Sequence, residues 1–471
     1  MADDDRAALE RAYGHALHFH ANRWQRPPQT PADFEALWAA LDGPTPEVGT
    51  AAPTVIDDLV RAAEPGLMGM TGPRFFGWVI GASHPVGVAA DWLTSIWGQN
   101  GGLYQASPAT AVAEQVAAGW LLDLLHLPSA CRVGFTTGAT MANFACLAAA
   151  RGEVLRQAGW EVETDGLFGA PPVSVYVGDE THASIFAALQ YLGLGRNRVI
   201  RLATDAAGRL RTDALQTALA AHTGPGLVIA QAGQVNTGAF DPLAAVIERA
   251  HEAGAWVHVD GAFGLWARAC PTRAALAAGA EHADSWATDG HKWLQTPYDC
   301  GYAIVRNAAA LQRAMTIGAS YLPTAPAGAL DPADAVPELS RRARGFATWA
   351  LIRTLGRQGI AALIEQHCRL AHRLAERLAA EPGVAVLNDV DLNQVIVQFG
   401  TPEPPERRDD LTREVITRTQ AAGVCFLGGA RWKGRWVMRL SVIAWPTTAP
   451  DIDRAAASIL AAWRQVRAGS G

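Results

Sequence analysis

Four short runs carry side chains whose types and order could do carbonyl chemistry. The first is Asp289-Gly290-His291-Lys292-Trp293. A desolvated primary amine forms an imine with a carbonyl cofactor, and His291 and Trp293 give Lys292 an aromatic setting. Read alone, the same lysine is a surface residue beside a tryptophan. The second run is Val257-His258-Val259-Asp260-Gly261-Ala262-Phe263. A carboxylate at the C-terminal end of a strand can pair with a pyridinium nitrogen and keep it protonated, which preserves the ring as an electron sink. An aspartate capping the next helix fits that run equally well.

The third run, Gly134-Phe135-Thr136-Thr137-Gly138-Ala139-Thr140-Met141-Ala142-Asn143, precedes an Ala-rich helix reaching Arg151. Small and hydroxylated residues there leave N–H groups and hydroxyls free to hold an anion, aided by the helix dipole, and a cofactor phosphate is such an anion. Capping by Thr137 or Thr140 explains the run as well. The fourth, Asp179-Glu180-Thr181-His182-Ala183-Ser184, offers His182 as a ring to stack on a cofactor and reach a substrate carboxylate, or as a solvated loop histidine. The joint occurrence of hydroxyl turn, histidine, aspartate and His-Lys, in that order at strand-to-helix junctions, points to a pyridine-ring cofactor.

Those junctions require a sheet. From about 130 to 308, β-branched runs alternate with Ala- and Leu-rich stretches, predicting strands at Val173–Val177, Arg198–Leu202, Leu227–Gln231, Ala255–Val259 and Gly301–Val305. Such alternation predicts an α/β fold, a mostly parallel sheet covered by helices, with ligands outside the strands' C-terminal ends. Residues 1–72 read as helices (7–20 and 33–41) broken by Pro-rich connections. They have little core of their own, so they should pack on something else. Residues 73–325 form the expected large domain. Residues 326–471 form a loop and a smaller α+β domain, with a long helix Phe346–Ala380 broken near Gly356 or Gly359, strands at Gln394–Phe399, Val424–Leu427 and Arg435–Ile443, a helix around 410–422 and a last helix from Asp451. The aperiodic stretch Leu322–Glu338 reads as an exposed loop of the kind that forms lids.

Composition bounds the partners. A hydrophobic share of 49% and a charged share of 18% are those of a globular chain, and a net charge of −6 gives no reason to expect nucleic acid or an anionic membrane. Six dispersed cysteines without zinc spacing predict no metal site and a reduced, cytoplasmic protein. The acidic N-terminus is unlike a signal peptide, and no apolar run approaches the roughly 20 residues of a membrane span.

From about Pro73 to the C-terminus the sequence resembles the group II pyridoxal-phosphate-dependent amino-acid decarboxylases, which include aromatic-L-amino-acid, glutamate and histidine decarboxylases. The runs carrying the resemblance are Pro73-Arg74-Phe75-Phe76-Gly77, Ser107-Pro108-Ala109-Thr110, the Thr-Gly-Ala-Thr turn, His182, the Asp260 strand and Asp289-Gly290-His291-Lys292-Trp293. The resemblance implies a fold type I enzyme, a homodimer with active sites at the subunit interface and an N-terminal segment embracing the partner. It implies pyridoxal 5'-phosphate held by Lys292 as a Schiff base, Asp260 on the ring nitrogen, His182 stacked on one face and Ala262 on the other. Gly138, Ala139, Thr140 and Asp289 fall on the phosphate side, and His291 beside the imine. Trp78, Val79, Gly81 and His84, with Leu103 and Tyr104 of the partner, match positions that shape the substrate pocket.

Three departures qualify the resemblance. Gln231 stands where a threonine is expected near the cofactor. The stretch Leu322–Ser340 holds neither the tyrosine that protonates the substrate carbon in aromatic decarboxylases nor the phenylalanine of aldehyde-forming relatives, and Tyr321 is the nearest phenol. His84 could be an acid or base peculiar to this branch, or a structural histidine. Decarboxylation of an L-amino acid, aromatic at first choice because Val79 and Gly81 leave room and Trp78 offers a wall, is the leading expectation. The same cofactor could instead serve oxidative deamination to an aldehyde, retro-aldol cleavage, or transamination with Arg439 on the substrate carboxylate. A catalytically silent binding protein is the remaining alternative.

Overall fold

The computed structural model of the protein describes residues 2–30, 32–221, 223–318 and 325–469. They form two compact units, one of Met1–Trp78, Arg373–Val386 and Val397–Gly471, the other of Val79–His372 and Leu387–Ile396.

The larger unit is built on seven strands: β1 (Arg132–Thr136), β2 (Ser174–Gly178), β3 (Ile200–Leu202), β4 (Gly226–Gln231), β5 (Trp256–Asp260), β6 (Ser285–Asp289) and β7 (Gly301–Val305), in the spatial order β1-β7-β6-β5-β4-β2-β3. Neighbours from β6 to β3 run parallel, and β7 lies antiparallel to both β6 and β1. Every residue of β4 and β5 is buried, as expected for central strands covered on both faces. The helix Ala139–Gln157 crosses the sheet on small residues, Ala142, Ala145 and Cys146 being fully buried, which lets its backbone come close.

Register places the chemistry. Gln231 pairs with Asp260, Asp260 with Ala287, and Gly301 with both Asp289 and Thr136. The ends of β4, β5, β6 and β1 therefore meet along one edge of the sheet. Strands β1 and β6 were not among the expected runs, because Arg-Val-Gly-Phe-Thr and Ser-Trp-Ala-Thr-Asp carry few β-branched residues. The break in the helix Gly345–Ala379 falls at Gly356, whose φ of 61° is the left-handed conformation glycine tolerates.

In the smaller unit, β8 (Val384–Val386), β9 (Gln394–Phe399, which begins in the larger unit), β10 (Gly428–Trp432) and β11 (Arg435–Ser441) order as β10-β11-β9-β8. The expected strand Val424–Leu427 is corrected. That stretch makes one bridge, Phe426 to Phe75, and the strand is β10. A Cβ at Gly429 would lie 2.7 Å from the Trp436 ring, so packing demands glycine inside the strand. The run Arg74–Phe76 zips onto Phe426 (Phe76 N to Phe426 O 2.7 Å, Phe426 N to Arg74 O 3.0 Å), and Arg74 pairs with Asp451 at 2.9 Å. At the N-terminus, the helices Ala2–Asn22 and Ala52–Ala63 meet through His15 and Asp57 at 2.8 Å. No helix among the described residues is long and apolar enough to cross a membrane.

Candidate active site

The chain leaves β6 at Asp289 and turns through Gly290, where a Cβ would strike the Tyr302 hydroxyl. That turn brings Lys292 back over the strand end. Its Nζ lies 2.9 Å from Asp289 Oδ2, its side chain is 19% exposed, and the Phe263 ring is 5.9 Å away. The other Asp289 oxygen accepts from the Ala139 backbone N–H at 2.6 Å, at the start of the helix Ala139–Gln157. The place expected to hold an anion is thus met by a buried carboxylate. At Gly138 a Cβ would come within 3.0 Å of the His291 ring and 3.3 Å of Asp289. Thr140 is exposed on the helix's first turn.

His291 accepts from the Cys300 backbone N–H through Nδ1 at 3.3 Å, faces Asp289 with Nε2 at 3.5 Å, and stacks on Tyr298 with centroids 4.4 Å apart. Because Nδ1 accepts, the proton of the neutral ring sits on Nε2. Burial pushes the His291 pKa down against the pull of Asp289, which favours this neutral form.

Asp260 ends β5. Its Oδ1 accepts from the Ala262 N–H at 3.2 Å, and its Oδ2 faces the Asn143 amide at 3.4 Å. Burial pushes its pKa up, opposed chiefly by the nearby His182 and then Lys292. A buried carboxylate of this kind is costly unless a cation meets it, and a protonated ring nitrogen is such a cation. His182, at the start of the helix Ala183–Tyr191, accepts from the Ser184 backbone N–H at 3.2 Å and has Ser184 Oγ at 2.8 Å. An amine, a buried carboxylate, an imidazole and a helix N-terminus at one sheet edge fit pyridoxal phosphate in donor set and in order.

The remaining expected residues are placed as follows. Gln231 donates from Nε2 to the Glu180 carbonyl at 3.3 Å, bracing the loop before His182, and its backbone N–H donates to Asp241 at 2.7 Å. The Ala262 carbonyl accepts from Asp289 N at 2.9 Å. Gly81 is corrected as a source of pocket width: a Cβ there would lie 2.5 Å from the carbonyl oxygens of both His291 and Lys292, so glycine is required by backbone approach. Val79 is buried. His84 accepts from Val86 N at 3.3 Å, capping the helix Pro85–Trp97, and burial lowers its pKa. Half-buried Leu103 and Tyr104 lie on a loop held by Tyr104 N and Asp331 at 2.7 Å. Trp78 belongs to the smaller unit, where it packs on Phe75 and Phe426. Arg439 lies on β11, opposite Gly428. Tyr321 and residues 322–324 of the expected lid lie outside the described residues.

Sequence reasoning missed Asn143, Ser184, His258, Gln295 and Tyr298. Gln295 is fully buried with φ 61°. Its Oε1 accepts from Ala82 N at 2.8 Å and its Nε2 donates to the Lys292 carbonyl at 2.8 Å, clamping the Gly81 segment to the lysine turn. A non-glycine residue in that conformation costs about 1–3 kcal/mol, so the clamp is held against strain. No local pattern announces it.

Residues 35–399 match the family described as the pyridoxal-dependent decarboxylase conserved domain. The chain is 26% identical over 436 residues to an aromatic-L-amino-acid decarboxylase of Bacillus atrophaeus, covering 91% of this chain and 88% of that one. It is 27% identical over 404 residues to a phenylacetaldehyde synthase of Arabidopsis thaliana, covering 82% and 81%. The crystal structure of Oryza sativa TDC with PLP and tryptamine has the same fold, with a TM-score of 0.92 at 24% identity over 99% of this chain and 98% of that one. The chain belongs to the pyridoxal-dependent decarboxylase family, and its cofactor is pyridoxal 5'-phosphate.

Proposed function

We propose that this enzyme removes the carboxylate of an L-amino acid to give the amine and carbon dioxide. The carrying observation is the joint placement of the Lys292 amine, Asp289 and the Ala139 N–H within hydrogen-bond reach, with Asp260 buried on the adjacent strand. Bound there, pyridoxal phosphate supplies an electron sink for the pair left at Cα when carbon dioxide departs.

The chain's own residues do the rest. Lys292 holds the cofactor through its amine. The N–H groups of Gly138 and Thr140 would hold its phosphate, joined by that of Ala139 once it leaves the adjacent Asp289. Asp260 would keep a proton on the ring nitrogen and Ala262 would pack on the ring face opposite His182, while Gln231 braces the His182 loop. His182 would lie against the ring and would return the proton to Cα through Nε2, and His291 would present its Nε2 proton on the lysine side. The Cα–carboxylate bond breaks, a C–H bond forms, and one proton is consumed per turnover.

An aromatic side chain is the first choice of substrate, supported by the relative named above and by Val79 in the pocket segment. Gly81 no longer supports that choice. The enzyme is proposed to be a cytoplasmic homodimer. Phe34, Trp38 and Leu41 are all more than half exposed, as are Leu9 and Leu59 on the helices beside them, an apolar surface that residues 1–72 would cover against a second copy. The partner would then supply its Leu103 and Tyr104.

The rival reading is oxidative deamination to an aldehyde, favoured by the absence of tyrosine from 322–340. Incubation with the twenty amino acids separates the two. Equal amounts of amine and carbon dioxide without peroxide support the proposal; oxygen uptake with peroxide and aldehyde selects the rival.

A further inference from the structure

The hydrogen bonds beneath the site have one direction. Trp256 Nε1 can only donate, and it donates to Ser285 Oγ at 2.9 Å. The Ser285 hydroxyl proton is then directed to His258 Nδ1, also at 2.9 Å. Buried His258 is neutral, its pKa pushed down to about 3 by desolvation, so its single ring proton sits on Nε2 and goes to Asn143 Oδ1 at 2.8 Å. The Asn143 amide is thereby oriented. Its Nδ2 faces Asp260 Oδ2 at 3.4 Å and Ser184 Oγ at 3.3 Å. Ser184 in turn donates to His182 Nδ1 through its backbone N–H and its hydroxyl, which puts the proton of neutral His182 on Nε2.

We propose that Asn143 is a positioning residue whose two amide protons are divided between Asp260 and Ser184, so that one side chain holds both the partner of the ring nitrogen and the ring-stacking His182. Asp260 is also faced by the Ala262 N–H, His182, Lys292, Asp289 and the Cys146 thiol. The Asn143 amide reaches both Asp260 and Ser184, the residue that supports His182. An N–H donor on the carboxylate weakens its basicity, which leaves the shared proton on the ring nitrogen. The inference rests on the proposed cofactor site.

The test is a pH titration of the visible absorbance of the pyridoxal-phosphate-loaded enzyme, with the dissociation constant for pyridoxal phosphate measured alongside. In Asn143→Ala the ring nitrogen carries less positive charge and withdraws less from the Lys292 nitrogen. The titration midpoint then rises by about half a unit or more and the cofactor binds about tenfold more weakly, the size of one charge-assisted hydrogen bond. His258→Gln keeps a donor against Asn143 Oδ1 and stays within about twofold of wild type, because Asn143 keeps its orientation. Ser184→Ala, on the half-buried helix start, folds regardless and shifts the midpoint in the same direction by less. Wild-type midpoints in both Asn143→Ala and Ser184→Ala overturn the proposal, as does a His258→Gln enzyme as impaired as Asn143→Ala. Absence of a visible band in the wild-type enzyme overturns the cofactor site instead.

Discussion

Lys292 Nζ and Asp289 Oδ2 stand 2.9 Å apart, and the second Asp289 oxygen takes the Ala139 N–H that opens the helix behind them. One carboxylate therefore engages both the amine and the anion end of the proposed cofactor site. A phosphate dianion arriving there meets that negative charge.

Asp289→Asn removes the charge and keeps an acceptor for Ala139. Pyridoxal phosphate should bind the cofactor-free variant several-fold faster, about tenfold if most of the repulsion acts in the half-buried pocket. Stopped-flow growth of the visible band measures this, and a slower association would show that Asp289 helps to load the cofactor.

Gly81→Ala should disable the protein for a packing reason. A methyl 2.5 Å from the His291 and Lys292 carbonyls must push the lysine turn away, at a cost of about 3 kcal/mol or more. Thermal unfolding and cofactor retention would both fall. A stable variant with a narrowed substrate range would restore Gly81 as a determinant of pocket width.

Acid should loosen the sheet through His258. Full burial lowers its pKa from the ordinary 6.5 to about 3 in the folded protein. A depressed histidine pKa means that the unfolded chain binds the proton first. The stability it supports is complete above pH 6.5 and is lost as pH falls toward 3, on the order of a few kcal/mol. His258→Gln should flatten denaturant-derived stability between those limits, whereas an unchanged slope would place the acid sensitivity elsewhere.

The parts of the site that lie at the ends of apolar strands were legible in the sequence. Asp260 and His182 follow β-branched runs, and Lys292 follows a short run of distinctive side chains. The helix break could be read from composition as falling near Gly356 or Gly359, and it falls at Gly356. Strand β6 could not, because Ser285-Trp286-Ala287-Thr288-Asp289 has no alternation and a single β-branched residue. Asn143 and His258 meet only because the helix Ala139–Gln157 lies across β5. Their spacing in the chain carries no trace of that. Gly81 was misread for the same reason: a glycine needed for backbone approach looks, in sequence, like one that makes room.

The central claim is that Lys292 anchors the cofactor, and this chain makes the test nearly binary, since it has two lysines, Lys292 and Lys433. Lys433 is an exposed turn residue between β10 and β11. Borohydride reduction of the pyridoxal-phosphate-loaded enzyme, followed by peptide mass mapping, should place the reduced adduct on the peptide containing Asp289–Trp293 and remove the visible band; Lys292→Ala should carry no adduct. An adduct on Lys433, or one that survives Lys292→Ala, would contradict the account.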